Sequence, residues 1–146
     1  MSLWTCPDCG RGFANRNQVH TCAGLHDLDH HFARRPTAVR ALFDALTEAA
    51  RACGPVIVLP EKTRIAFQVR MSFMAVMPRN HGLRGHLVLA ERVEDPRWTR
   101  IETFSPRNHL HAFSLTDQGQ IDDWFRGRLA EAYAVGAQRH LASPAP

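Results

Sequence analysis

The residues with the clearest chemistry in this chain are three cysteines and a histidine near the N-terminus. Two residues separate Cys6 from Cys9 in Cys-Pro-Asp-Cys-Gly, and His20 and Cys22 follow after about ten more residues. A Cys-x-x-Cys turn can point both sulfur atoms at one tetrahedral ion, and three thiolates with one imidazole suit Zn²⁺. The spacing therefore predicts a zinc-finger-like module that binds Zn²⁺ through these four side chains.

The fourth ligand has an alternative. Cys22 follows Cys9 after twelve intervening residues and precedes His26 by three, which is also conventional finger spacing. His20 is favoured over His26 because Gly24 looks like the exit of the chain from the module. Either set supplies four protein ligands, which closes the coordination shell, so a structural zinc is expected and a catalytic zinc is not.

Composition bounds the class of protein. The chain has 146 residues and a formal net charge of +4, and Lys62 is the only lysine among its basic residues. No apolar run approaches the roughly 18 residues that span a bilayer, and the first residues lack a secretion signal. We therefore expect a cytoplasmic protein with reduced thiols and no membrane partner. Arginine-rich basic charge also suits phosphate, which makes nucleic acid a candidate partner.

Apolar periodicity predicts the elements of the main domain. A helix is expected from Pro36 to about Cys53, with Val39, Leu42 and Leu46 on its buried face. Short β-strands follow, and a second amphipathic helix is expected from Ile121, preceded by a capping box at Thr116–Gln120. The prediction is an α+β fold with a mainly antiparallel sheet of about five strands flanked by two helices. The expected units are a zinc module at 1–24, a connector at 25–35 and the α+β domain at 36–142.

The longest alternating run covers residues 65–77. Apolar side chains occupy its odd positions and mostly polar side chains its even positions, as in a strand with one face toward a core. The run is long for a single strand, so we expect a bend or bulge near 70–72.

Several basic and polar residues lie at or near the starts of two predicted strands. If the strand that begins near residue 65 neighbours the one that begins near 109, these side chains would form a cationic patch for phosphate or carboxylate. The alternative, which the pattern favours slightly, is a solvated outer face of a one-sided sheet. The candidate anion-binding residues are Lys62, Arg64, Arg70, Arg107, Asn108 and His109.

Signals for catalysis are weak. The chain has no glycine-rich nucleotide loop and no Gly-x-Ser-x-Gly elbow. Asp122 and Asp123 are adjacent at a predicted helix start, where acids complement the helix dipole, so we interpret them as structural. His111 shares strand parity with Phe113, which is typical of a hydrogen-bonded core histidine.

Four short motifs together resemble a family of small bacterial proteins catalogued as a domain of unknown function, DUF5655. The motifs are Trp4 to Phe13 with Asn17 to Cys22, Lys62 to Phe67, Ser105 to His109, and Ala132 to Gly136. The resemblance supports the metal role of His20 and Cys22 and marks the candidate anion-binding residues as motif positions. It also implies a small α+β shape similar to frataxin-like proteins, and it implies no activity.

The resulting expectation is a non-enzymatic binding module that engages nucleic acid or another anionic partner. Alternatives are a small-molecule or metal-ion binding domain and a protein-interaction adaptor. An enzyme with Lys62 or His109 as the acid–base group is the least favoured hypothesis.

Overall fold

A computed structural model describes residues 3–7, 12–14 and 27–139 of the chain. Within the last range, helix α1 spans Leu28–Phe32 and helix α2 spans Thr37–Arg51. Six strands follow, and a 3₁₀ helix at Gln118–Gln120 leads into helix α3 at Asp123–Gly136. The strands of this sheet are β3 Ile57–Pro60, β4 Ile65–Gln68, β5 Ser72–Pro78, β6 Leu83–Leu89, β7 Arg100–Ser105 and β8 Asn108–Leu115.

All six strands form one antiparallel sheet in the order β3-β4-β5-β6-β8-β7. Consecutive strands pair through short turns except at β7, which lies at the edge beyond β8. The α+β prediction is confirmed, with six strands in this sheet where about five were expected. The segment expected as a connector contains α1, whose Phe32 is buried in the core.

The long alternating run is two strands and not one. The backbone reverses at 69–71, so that β5 returns antiparallel to β4 and Ile65 pairs with Val76. The register also shifts between Phe67 and Gln68, which leaves one extra residue on β5. The bend expected near 70–72 is thus a complete turn. The sequence could not show this, because the alternation of side chains is the same in a bent strand and in a hairpin.

Helices α2 and α3 both pack on one face of the sheet. Three aromatic pairs join the layers: Phe43 with Phe67, Phe113 with Phe125, and Phe73 with Tyr133, at centroid separations of 5.9, 5.2 and 5.5 Å. The apolar residues of α2 recur at three- and four-residue steps, so they lie on one side of the helix. This side faces the sheet, and the positions predicted to be buried are in the core. The core therefore lies between the two helices and the sheet.

The start of α3 differs from the prediction. The capping box exists, but it caps the 3₁₀ helix: the Asp117 carboxylate accepts from Gly119 N at 2.8 Å, and Gln120 Oε1 accepts from Asp117 N at 3.1 Å. Helix α3 has its own cap, because Asp122 Oδ1 accepts a hydrogen bond from Phe125 N at 2.9 Å. The structural role assigned to Asp122 is confirmed.

Near the N-terminus, Trp4–Thr5 forms strand β1 and Gly12–Phe13 forms strand β2, paired antiparallel. This hairpin contacts the main sheet through two hydrogen bonds. Gln68 Nε2 donates to the Gly12 carbonyl oxygen at 2.6 Å, and Ala14 N donates to the Arg70 carbonyl oxygen at 3.1 Å.

Within the part of the chain that the structure describes, no helix has the length and apolar character needed to cross a membrane.

Candidate functional site

The face of the sheet away from α2 and α3, here called the outer face, carries the candidate site. Side chains directly opposite one another in an antiparallel sheet point to the same side. The pairing therefore places one row of residues across all six strands on this face. From β3 to β7 the row is Leu59, Ala66, Ala75, His86, Ala112 and Arg100.

His86 lies near the middle of this row, between two alanines. Ala75 and Ala112 are its partners on the two adjacent strands, and both are buried. The ring is partly buried, and no described residue forms a hydrogen bond with it.

Burial lowers the pKa of His86 to about 4, and the charges of Arg64 and Arg100 lower it further. The imidazole is accordingly uncharged at neutral pH. The direction of the charge effect also reports the local field, because a positive potential disfavours protonation of a histidine. The outer face is thus electropositive at His86.

Three arginines surround this position. Arg64 precedes β4, Arg84 lies two residues before His86 on β6, and Arg100 begins β7. Two of them are compensated: Arg64 Nε lies 2.9 Å from Glu61 Oε1, and Arg100 Nε lies 2.8 Å from Glu102 Oε1. Arg84 is exposed and has no ion-pair partner among the described residues. The guanidinium groups leave the face with a small excess of positive charge and several free N–H donors.

The predicted anion-binding residues are not brought together. The strand β4, which follows Lys62 and Arg64, is separated from β8 by β5 and β6, so the two segments are not neighbours. Lys62 is exposed in the β3–β4 turn, whereas Arg107 and Asn108 belong to the β7–β8 hairpin. Arg70 lies in the β4–β5 turn, where its Nε donates to Gln138 Oε1 at 2.9 Å. Of the six predicted residues, Arg64 lies close enough to His86 for its charge to lower the histidine pKa.

His109 is buried and stabilises its own hairpin. Its Nε2–H donates to the Pro106 carbonyl oxygen at 3.0 Å, and its Nδ1 accepts from Thr103 Oγ1 at 2.9 Å. Both ring nitrogens are therefore occupied. His111 is fully buried, which confirms the prediction of a hydrogen-bonded core histidine.

Most of the predicted zinc ligands lie outside the described residues. These are Cys9, His20, Cys22 and the alternative ligand His26. Cys6 is described, directly follows β1 and is 3% exposed. Among the described residues, no group of three or more histidines, cysteines and acids could hold a metal.

Sequence reasoning missed Arg84, His86 and Arg100. The sequence of β6 could have indicated two of these residues. Arg84 and His86 alternate there with buried residues such as Leu83 and Leu87. The position of Arg100 near these residues could not be predicted from the sequence. It depends on the order of the strands, because β7 pairs with β8 and not with β6.

The described part of the chain is an α+β domain with a six-stranded antiparallel sheet and three α-helices. The chain belongs to the family described as "Domain of unknown function (DUF5655)", whose family model matches residues 28–136. The resemblance noted from the sequence motifs is thereby confirmed for this part of the chain. No curated protein and no solved structure shows significant similarity to the chain.

Proposed function

We propose that the protein is a non-enzymatic binding module that engages nucleic acid across the outer face of the sheet. The observation that supports this most directly is the position of His86 near Arg64 and Arg100, whose charges add to the effect of burial in lowering its pKa to about 4. Guanidinium groups bind phosphate oxygens through several N–H donors, and a neutral imidazole donates one hydrogen bond and accepts another.

The same surroundings argue against catalysis. In the row that crosses the sheet, the described neighbours of His86 are alanines, which offer neither a nucleophile nor a carboxylate to orient the ring. A histidine whose pKa is about 4 is also poorly matched to proton transfer at neutral pH. Binding is therefore the favoured role.

The test is a fluorescence-anisotropy titration of the zinc-loaded full chain with single- and double-stranded DNA and RNA at low and physiological salt. Phosphate contacts make affinity fall steeply with salt. The double variant Arg64→Gln, Arg100→Gln should weaken binding at least 10-fold and flatten the salt dependence. Arg92→Gln is the matched control, because Arg92 also pairs with a glutamate two residues later, Glu94, but lies in the β6–β7 connection. Equal affinity of the double variant and the control would remove the outer face as the interface.

The N-terminal hairpin supports a zinc module beside this domain. Thr5 pairs with Gly12, and Cys6, which directly follows the first strand of this hairpin, is buried. The donor set fits Zn²⁺ because three thiolates and an imidazole give a four-coordinate shell. We assign the ligands as Cys6, Cys9, His20 and Cys22, with His26 as the alternative. When bound, the metal would supply folding free energy to this short segment.

A second candidate is a small-molecule binding domain of frataxin-like shape. A cleft of about 310 Å³ lies beside the start of α3, with walls formed by Trp98, Phe113, Trp124 and Phe125. Arg97 covers the Trp124 ring at 4.5 Å. Trp98 Nε1 is buried and has no hydrogen-bond partner among the described residues. This volume is at the small end of ligand sites, and the aromatic walls suit a planar apolar ligand.

The fluorescent dye 1-anilinonaphthalene-8-sulfonate tests this second candidate. One saturable site per chain is expected in the wild type and should be lost in Trp124→Ala, because Trp124 forms one wall of the cleft and also contacts Trp98 at 5.3 Å. Binding that is unchanged in this variant would place the dye elsewhere. Nucleic-acid binding by Trp124→Ala should be unaltered, which separates the two candidates.

A further inference from the structure

A cleft of about 420 Å³, here called the turn cleft, lies where the β5–β6 turn meets the end of β8. It adjoins the outer face, because Arg84 belongs to both and pairs across the sheet with Met77 and Ser114. Six of the eight described residues that line it are polar. The polar lining residues are Arg79, Asn80, His81, Arg84, Ser114 and Thr116.

The charge of the turn cleft is uncompensated. Among the described residues no carboxylate lines it, and neither His81 nor Arg84 has a hydrogen-bond or ion-pair partner. The contact of Arg79 is with an uncharged group, since its Nη2 points to Met77 Sδ at 4.0 Å. Arg64 and Arg100, by contrast, each pair with a glutamate. Closely spaced cations without acidic partners create a local potential that attracts an anion.

The backbone brings hydroxyl groups into the same cleft. Arg79 N donates to the Gly82 carbonyl oxygen at 2.7 Å, which closes the β5–β6 turn. A Cβ atom at Gly82 would overlap the carbonyl oxygen of Leu115, so only glycine lets the turn lie this close to the end of β8. Ser114 and Thr116 therefore line the same cleft as the basic side chains, and the Thr116 hydroxyl donates to Gln120 Oε1 at 3.4 Å. Cations and hydroxyls together are the donors that bind phosphate oxygens.

A helix terminus adds to the positive field. A neighbouring cleft of about 300 Å³ shares Asn80, His81, Gly82 and Thr116 with the turn cleft and is otherwise lined by the first turn of α2 and Leu42. The N-cap of this 15-residue helix is Pro36, which supplies no side-chain hydrogen bond, and the first turn contains no acid. The first-turn N–H groups therefore lack a capping side chain, and the positive end of the helix dipole faces this region.

We propose that the turn cleft binds a phosphate group. In its application to nucleic acid this inference rests on the proposed function, with the phosphate coming from a backbone phosphodiester or a terminal monoester. Free inorganic phosphate has the same chemistry and is the simplest probe. Arg79 and Arg84 neutralise the charge, while His81 and Ser114 donate hydrogen bonds to the phosphate oxygens.

The experiment follows backbone amide shifts of the zinc-loaded full chain by ¹⁵N–¹H NMR during titration with inorganic phosphate, against potassium chloride at matched ionic strength. Saturable shifts at Gly82, Ser114 and Thr116 are expected with phosphate alone. The double variant Arg79→Gln, His81→Gln should raise the dissociation constant at least 10-fold, whereas Arg51→Gln, at the opposite end of α2, should leave it unchanged. Shifts that chloride reproduces, or that persist in the double variant, would overturn the proposal.

Two further probes identify the source of the phosphate. Thymidine 5′-monophosphate carries a terminal monoester and the dinucleotide TpT carries one phosphodiester. Shifts at the turn cleft with the monophosphate alone support a terminal phosphate, and shifts of equal size with both support the backbone. No shift with either one would restrict the site to free phosphate and overturn its assignment to nucleic acid.

The two proposals fail separately. Arg64 and Arg100 do not line the turn cleft, and Arg79 and His81 are not in the row of His86. If oligonucleotide binding depends on Arg100 while the phosphate titration is silent, the turn-cleft proposal is wrong and the proposed function stands. If phosphate shifts the turn cleft but no nucleic acid binds, the site is a small-anion site and the proposed function is wrong.

Discussion

His111 Nε2 accepts a hydrogen bond from the backbone amide of Val93 at 2.9 Å, and this bond ties the β6–β7 connection to the middle of the sheet. The other ring nitrogen, Nδ1, donates to the carbonyl oxygen of His109 at 2.9 Å. One nitrogen must accept and the other must donate, so the ring is neutral with its proton on Nδ1. Trp98 packs edge-on to this ring at 5.1 Å, which completes its burial.

Stability should decrease in mild acid because of two histidines. Burial lowers the pKa of His111, and burial with the charges of Arg64 and Arg100 lowers that of His86 to about 4. Both folded-state pKa values lie below the unfolded value of about 6.5, so the unfolded chain binds more protons as the pH falls. The free energy of unfolding should therefore fall by about 1–2 kcal/mol between pH 7 and pH 5 from His86 alone. Urea unfolding at the two pH values measures this.

The variant His86→Asn should flatten this pH dependence without unfolding the protein, because His86 is on the outer face and forms no hydrogen bond with a described residue. A wild-type stability that is constant between pH 7 and pH 5 would contradict the environment described for these rings.

Two glycines of α3 should respond in opposite directions to alanine. A Cβ at Gly136 would lie 2.7 Å from Phe73 Cδ1 and 3.1 Å from the Met71 carbonyl oxygen, whereas a Cβ at Gly127 meets nothing within 4 Å. Gly136→Ala should cost about 1–3 kcal/mol through overpacking. Gly127→Ala should gain about 0.5–1 kcal/mol, since alanine favours a helix interior. Thermal and urea unfolding compare the pair, and equal effects would show that the α3–β5 contact is not tight.

Two cysteines provide a matched test of the zinc module. Cys6→Ser should lower the zinc content of the purified protein from one ion per chain to near zero, because a serine hydroxyl is a poor replacement for a thiolate ligand. Cys53→Ser should leave the zinc content unchanged, since Cys53 is partly buried at the end of α2, where its Sγ lies 3.7 Å from the Ala49 carbonyl oxygen. Zinc content is measured by elemental analysis. Full zinc in Cys6→Ser would show that the ligand assignment is wrong.

The contact between the N-terminal hairpin and the sheet depends on Gln68, which is 3% exposed and donates to Gly12 at 2.6 Å. Gln68→Ala removes this bond, whose loss costs about 1 kcal/mol, and should raise the open population of the hairpin roughly fivefold. Limited trypsin digestion should then release the N-terminal segment several-fold faster. Gln118→Ala, in the exposed 3₁₀ helix, is the control. Equal digestion rates would mean that this contact does not hold the hairpin.

Local patterns were sufficient to predict much of the fold. The face of α2 could be derived from Val39, Leu42 and Leu46, because a helix repeats every 3.6 residues and needs no partner to show it. The burial of His111 followed from its strand parity with Phe113 in the same way. The reversal at 69–71 could not be predicted, since alternation is the same in a bent strand and in a hairpin.

The sequence by itself determined the element types, the parity of the strand side chains, the Cys-x-x-Cys spacing and the predominance of arginine. Only the tertiary structure decided which of those arginines are neighbours. Arg107 lies at the turn of the β7–β8 hairpin, which β5 and β6 separate from the strand that follows Arg64. Arg100, at the other end of β7, shares a row with His86 because both pair with Ala112. The physical reason is that parity assigns a side chain to a face, whereas position on that face depends on strand order and register, which long-range pairing determines.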